Sequence, residues 1–279
     1  MKAEWTSALF GLLAALTWGA GDFSGGLASK RTNAYGVVIV AHIASLFLLI
    51  LAAVALREPF PPLTVWLWGG AAGLGGGFGL LLLYSALASG RMSVAAPVSA
   101  LVAAGIPVIV AALTNGLPAS LVSLGFGLAL AAIWLVSGGG SLDFRPAELR
   151  LPLMAGAAFG FFFLCLHQAS TSSVLYPLIA VRVVSIPSLL AFALITRQNI
   201  LPSRDSLFPI LMSGLLDTIG NGAYALAAQF GRVDVAAVIS SLYPGSTVLL
   251  AWLLLKEHIS RKQMLGITAA LAAILLITI

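Results

Sequence analysis

With 279 residues, 60% of them hydrophobic and only 8% charged, the chain has too few polar groups to cover a water-soluble fold, where roughly 25% charged residues are usual. The bilayer must be the solvent for most of it. The net charge of +5 sits on basic residues standing singly or in pairs between apolar runs, which are topology signals and not a phosphate-binding face, so nucleic acid is excluded as a partner. The one cysteine, Cys165, excludes an intramolecular disulfide and a Cys-rich metal site, and no metal ion or cofactor is implied.

A hydrocarbon core of about 30 Å takes about 20 apolar residues of helix. Runs of that kind fall at 5–28, 34–56, 64–89, 92–113, 118–137, 150–168, 174–196, 207–229, 234–255 and 261–279. The expectation is an all-α, multi-pass integral membrane protein of ten transmembrane helices, without a soluble domain. The first run is long enough to span and more spans follow, so it reads as a span, not a cleavable leader. Connections are short, and sequential helices should be antiparallel neighbours. The longest polar stretch, Ser137 to Arg150, contains Gly138-Gly139-Gly140, Asp143, Arg145 and Glu148 and reads as a linker. It divides the chain into 1–139, a linker at 140–149, and 150–279.

The two parts repeat one another at an offset of 141, without a gap. Gly90-Arg91-Met92-Ser93-Val94-Ala95-Ala96-Pro97-Val98-Ser99-Ala100-Leu101 falls on Gly231-Arg232-Val233-Asp234-Val235-Ala236-Ala237-Val238-Ile239-Ser240-Ser241-Leu242 with seven of twelve positions identical. The same shift pairs Gly19 with Gly160, Tyr35 with Tyr176, Gly73 with Gly214, Gly79 with Gly220 and Gly125 with Gly266. Five helices per repeat is an odd number, so the second repeat must enter the membrane from the opposite side. Two inverted five-helix repeats around a central cavity are the architecture of many secondary transporters, because inversion gives one site two similar gates. Both repeats lie in one chain, so a monomer suffices. The side of the N-terminus carries three basic residues (Lys2, Arg57, Arg232) against ten on the other, which puts the termini outside.

The second part resembles the EamA repeat of the drug/metabolite transporter superfamily. The resemblance runs through Gly231-Arg232-Val233-Asp234-Val235-Ala236-Ala237, Leu242-Tyr243-Pro244, Lys256-Glu257, Gln263 and Gly266. The first part follows through Trp18-Gly19 and the Gly90 to Leu101 segment. It departs from the pattern with Asn115-Gly116 where the second part has Lys256-Glu257, and Pro107 is not at the repeat position of Pro244. The resemblance implies a cavity between the halves lined by helices 1, 3, 4, 6, 8 and 9, and cytoplasmic termini, opposite to what the charge count gives.

Ionisable residues inside a bilayer are costly, about 2.5–3.5 kcal/mol on insertion scales, so each is a functional candidate. Five fall within predicted spans: Asp22, His42, His167, Arg182 and Asp217. Asn221 and Tyr224 follow Asp217 at i+4 and i+7, on one face. That carboxylate–amide–phenol stripe reads either as amine recognition or proton coupling, or as part of a buried ion pair with Arg182. Asp22 reads as a coupling carboxylate or a packing group, and Arg182 as a carboxylate binder, a partner of Asp217 or a snorkelling cation. Each lone histidine reads foremost as a packing residue. Trp18 is mid-helix and, with Phe78, Tyr84, Phe159, Phe163, Tyr224 and Tyr243, could wall a cavity for apolar, aromatic or cationic solutes. Ser99 and Ser240 are equivalent in the repeats and read as cavity-lining hydroxyls or as small packing residues.

The candidate solute-binding set is therefore Trp18, Asp22, Phe78, Tyr84, Ser99, Phe163, Arg182, Asp217, Asn221, Tyr224, Ser240 and Tyr243, with Asp217 and Asp22 as coupling candidates. No catalytic residue is assigned and the chain is not read as an enzyme. The expectation is an alternating-access exporter of a small metabolite, amino acid or drug-like solute in a cytoplasmic membrane, with membrane lipid as its surroundings and protons as the candidate coupling ion. No Gly-x-x-x-x-Gly-Lys-Ser/Thr sequence occurs, so the energy must come from a gradient. The alternatives are a channel or a non-transporting membrane protein, and, remotely, an intramembrane aspartyl protease using Asp22 of Gly19-Ala20-Gly21-Asp22 with Asp217.

Overall fold

The computed structural model describes residues 2–89, 92–136, 146–255 and 260–278. Among these residues all regular structure is helical. The helices are α1 Lys2–Ser29, α2 Ala34–Ala55, α3 Leu63–Ser89, α4 Met92–Asn115, α5 Ser120–Val136, α6 Pro146–Ala169, α7 Leu175–Ile195, α8 Leu207–Phe230, α9 Val233–Ser240, α10 Tyr243–Leu255 and α11 Arg261–Thr278, with a 3-10 turn at Arg204–Ser206. Gly90-Arg91, Lys256-Glu257 and most of the expected linker lie outside the described residues.

Among the described residues, six segments are long and apolar enough to cross a bilayer: Ala34–Ala55, Leu63–Ala88, Ala95–Asn115, Leu149–Ala169, Leu175–Ile195 and Val233–Leu254. Neither α1 nor α8 is so apolar. Trp18 and Asp22 interrupt one, and Asp217, Asn221, Tyr224 and Gln229 the other. Large side chains such as Leu9, Phe47, Phe208 and Leu271 are more than 60% exposed, as expected of surfaces solvated by lipid tails.

The expected single helix over 234–255 is in fact two, α9 and α10. Pro244 has no N–H to give the carbonyl of Ser240. The backbone tightens instead, with Leu242 N donating to Ile239 O at 3.1 Å and Gly245 N to Leu242 O at 2.9 Å. In α4, by contrast, the helix runs unbroken through Pro97 and Pro107.

The caps that close α2 and α7 are alike, at an offset one short of the expected 141. After α2, Glu58 N donates to Ala53 O at 3.1 Å with Arg57 at φ 51; after α7, Gln198 N donates to Ala193 O at 2.8 Å with Arg197 at φ 52. This is the same Schellman closure, each with an arginine in the left-handed region, at an offset of 140 and not 141. Relative to the Tyr35–Tyr176 pair one residue is lost before these caps, and one is gained again before the Gly73–Gly214 pair, so the offset of 141 does not hold without a gap.

Packing is dense where α1 lies on α8, α3 on α6 and α7, α5 on α11, and α2 on α7. The glycines of α3 explain two of these seams. Gly69, Gly73 and Gly77, one turn apart, face Pro177, Val181 and Ser185 of α7, while Gly75, Gly76 and Gly79 face Ala158, Phe162 and Phe159 of α6. A Cβ at Gly69 would stand 2.9 Å from the Pro177 carbonyl and one at Gly75 2.8 Å from that of Ala158, so no side chain fits between the backbones. Gly214 of α8 meets the Ala41 carbonyl of α2 in the same way. Between α8 and α9, Arg232 donates to Asp234 at 2.8 Å, and Asp234 in turn caps Val235 N at 2.9 Å. That segment of the family resemblance is a helix start, not a solute contact.

Candidate functional site

A cavity of about 490 Å³, counted with its open mouth, lies where α1, α3, α4, α6, α7, α8 and α10 meet. Of the sequence candidates, Trp18, Asp22, Phe163, Arg182, Asp217, Asn221 and Tyr243 line it. Gly76, Leu80, Ala103, Phe159 and Phe162 complete the wall. Apart from Phe159, none of these five drew attention in the sequence, because an apolar residue in an apolar helix carries no signal of the direction it faces.

The aromatic side is a stack. The rings of Trp18 and Phe163 are 5.6 Å apart, Phe163 and Tyr224 4.7 Å, and Trp18 and Tyr224 5.9 Å. Tyr224 stands behind this wall, with its hydroxyl donating to the Phe163 carbonyl at 2.9 Å. Gly220, one turn before Tyr224 on α8, leaves the room that the Trp18 indole occupies.

The polar side is a continuous network. Trp18 Nε1 donates to Asn221 Oδ1 at 3.0 Å, and Asn221 Nδ2 donates to Asp217 Oδ2 at 3.0 Å. The same Asp217 oxygen is ion-paired with the guanidinium of Arg182. Arg182 Nε donates to Ser45 Oγ at 2.8 Å, and its NH1 to His42 Nε2 at 3.1 Å. Arginine can only donate, so His42 Nε2 is an unprotonated acceptor and the proton sits on Nδ1, which reaches Ser185 Oγ at 2.9 Å. The geometry thus fixes His42 as a neutral imidazole. Ser45 in turn bonds to Thr218, and Thr218 donates to Gly214 O at 2.7 Å. The pairing of Arg182 with Asp217 is the ion pair that the sequence offered as one reading. Its anchors Ser45, Ser185 and Thr218 were missed. The available signal was spacing: Ser45 stands three residues after His42 and Ser185 three after Arg182, each pair on one face of an apolar helix.

Asp22 is different. Among the described residues no cation pairs with it, and it is half-buried at the cavity wall. Its side chain shares the cavity wall with Asp217. Tyr84 itself does not line the cavity. Its ring rests on Gly25, and its hydroxyl meets Ser213 Oγ at 2.8 Å and the Gly21 carbonyl at 3.4 Å. Phe78 lies away from the cavity, edge-on to Phe192 at 5.5 Å. The two serines paired at the offset of 141 also diverge. Ser99 bonds to the Tyr243 hydroxyl at 2.9 Å and to Ala96 O at 2.8 Å, whereas Ser240 is wholly buried against α1 with no hydrogen-bond partner. Position 102, the repeat equivalent of Tyr243, is Val102, which has no hydroxyl to offer Ser240.

Residues 148–279 match the sequence profile of the EamA-like transporter family. An uncharacterized protein of Methanocaldococcus jannaschii is 30% identical over 105 residues, 38% of this chain and 77% of that protein. A solved crystal structure superposes with a TM-score of 0.77 over 98% of each chain at 18% identity, a likeness of fold alone.

Proposed function

Because the chain belongs to the EamA-like transporter family, part of the drug/metabolite transporter superfamily, we propose that it is a secondary transporter that exports a small metabolite, amino acid or drug-like solute by alternating access in exchange for protons. That family consists of transporters and not enzymes, and the apolar helices make the chain a multi-pass integral membrane protein. On this reading the helices form ten spans, α9 and α10 together making one, in two inverted five-helix repeats. The packing supports it: exchanging the halves turns the α1–α8 contact into α6–α3 and maps α2–α7 and α5–α11 onto themselves.

The observation that carries the substrate reading is the charge balance of the cavity. Arg182 offsets Asp217, which leaves Asp22 as the one carboxyl in the wall without a cation among the described residues. A lone carboxyl beside the aromatic wall of Trp18, Phe159, Phe162 and Phe163 suits a positively charged group on a flat or apolar body, held by Coulomb attraction and by ring faces. It also suits a proton. Solute and proton compete for Asp22, and that competition is the coupling. The protease alternative needs two carboxyls that share a proton, whereas Asp217 is committed to Arg182 and Asn221.

The test is uptake of radiolabelled tetraphenylphosphonium and a panel of aromatic amines and amino acids into proteoliposomes, with and without a pH gradient. The expected result is gradient-driven accumulation of at least one cationic member, lost in Asp22→Asn. Transport by Asp22→Asn that still follows the gradient would overturn the assignment of coupling to Asp22. A panel in which only anions move would overturn the substrate class.

A further inference from the structure

Asp22 has two faces, and only one belongs to the cavity. On the other stands the Tyr84 hydroxyl, set against α1 on either side of Asp22: it meets the Gly21 carbonyl at 3.4 Å, its ring rests on Gly25, and it bonds to Ser213 Oγ at 2.8 Å. Tyr84 is 1% exposed and Ser213 likewise, and neither lines the cavity, so no solute contact explains this cluster.

A hydroxyl has one proton to give and lone pairs to accept with. When Asp22 is ionised, Tyr84 donates to it and accepts from Ser213. When Asp22 is protonated, the carboxyl donates to Tyr84, and Tyr84 donates to Ser213. The two hydrogen-bond directions are opposite, so a change at Asp22 can pass along the row and move a proton with it, the Gly21 carbonyl being an alternative acceptor for the Tyr84 proton. We propose that Tyr84 and Ser213 are the proton relay of Asp22, loading and unloading its carboxyl from behind while the solute addresses it from the cavity. The proposal rests on the reading of Asp22 as the coupling group.

In the unloading direction, the O–H bond of Asp22 breaks as its proton bonds to Tyr84 Oη. The proton of Tyr84 passes to Ser213 Oγ, and that of Ser213 to a water molecule. The products are an Asp22 carboxylate, two neutral hydroxyls and a hydronium ion. On this proposal the water enters from the end where the α1–α2 loop meets the α7–α8 loop. Two turns past Asp22 on the same face of α1, Ser29 Oγ is buried without a hydrogen-bond partner. Two turns before Ser213, the buried Ser206 bonds to Ser203 at 2.7 Å. The loops at that end are held together by Asn33 Nδ2 donating to Gln198 Oε1 at 2.9 Å. The other titratable groups facing Asp22 are Asp217 of α8, itself neutralised by Arg182 of α7, and Tyr243 of α10, whose hydroxyl is tied to Ser99. They set the charge around the carboxyl but offer it no second hydroxyl chain.

The test is infrared spectroscopy of the purified protein in proteoliposomes, following hydrogen–deuterium exchange of the protonated carboxyl of Asp22, identified as the C=O band that Asp22→Asn removes. Tyr84→Phe and Ser213→Ala should each slow that exchange, on the order of 100-fold as for loss of a positioned proton-transfer group. Ser213→Thr, which keeps a hydroxyl, should restore it. Wild-type exchange rates in both Tyr84→Phe and Ser213→Ala would overturn the relay while leaving Asp22 as the coupling group. If Asp22→Asn removes no carboxyl band at any pH at which the protein stays folded, Asp22 does not take up a proton, and the coupling reading fails as well.

Discussion

Replacing Arg182 by methionine removes the cation but keeps much of the volume, and so tests whether the polar network behind the cavity is a single energetic unit. Arg182 is 2% exposed and Asp217 7%, so water cannot screen the charge that either substitution leaves alone. Arg182→Met strips Asp217 of its ion pair and leaves Ser45 Oγ and His42 Nε2 without their donor. Breaking one side of such a buried pair costs about 3–5 kcal/mol. Asp217→Asn keeps the shape and leaves a buried guanidinium uncompensated, at a similar cost. In the double variant both charges are gone. It should therefore recover about 2–3 kcal/mol relative to the sum of the single variants. At about 2–4 °C per kcal/mol, each single variant should melt on the order of 10 °C lower. The assay is thermal unfolding of the four proteins in one detergent–lipid mixture. Strictly additive losses would refute the claim that the pair is mutually dependent. A double variant as stable as wild type would show that the charges are kept for something other than stability.

Two further predictions concern the backbone. Gly73→Ala drives a methyl group into the Val181 carbonyl on α7 and should cost about 1–3 kcal/mol. Gly105→Ala, with nothing within 4 Å of its Cβ position, should instead stabilise α4 by about 0.5–1 kcal/mol, and both are read from unfolding in the same mixture. Arg57→Gly and Arg197→Gly relieve a left-handed residue at φ 51 and φ 52 and should each raise stability by about 1 kcal/mol; a loss would mean that the arginine side chain contributes more than its backbone strain costs.

Much of this molecule is legible in the sequence because lipid leaves so few options. Helix lengths follow from bilayer thickness, and the expected starts of α2, α7 and α8 lie within a residue of the observed ones. The glycines paired at one offset prove to be contact points: Gly73 against α7, Gly214 against α2. The convergence of Trp18, Asp217 and Asn221 was also readable, since polar groups in lipid must find one another. The rest required three dimensions. The break at Ser240–Leu242 depends on which carbonyl Pro244 leaves without a donor, and a proline alone does not say so, since α4 holds two without breaking. Phe78 and Tyr84 are aromatic residues of the right helix that face the wrong way for the cavity. Ser45 and Ser185 looked like ordinary small residues until Arg182 was placed between them.

The glycine seams of α3 bear on which parts of the molecule can move as one. With one glycine face against α7 and another against α6, α3 comes almost backbone to backbone at Gly69, Gly73 and Gly75, while the Phe162 and Phe159 rings of α6 fill the space at Gly76 and Gly79. A side chain can swing, but a carbonyl lodged where a Cβ would be cannot slide without unlocking the whole seam. The first half of the sequence thus packs α3 into helices of the second. In return, α8 of the second half is taken up by α1 and α2. The tightest seams therefore join helices from opposite halves of the chain, α3 with α6 and α7 and α8 with α1 and α2, while α2, lying on α7 as well as on α8, ties the two groups to each other.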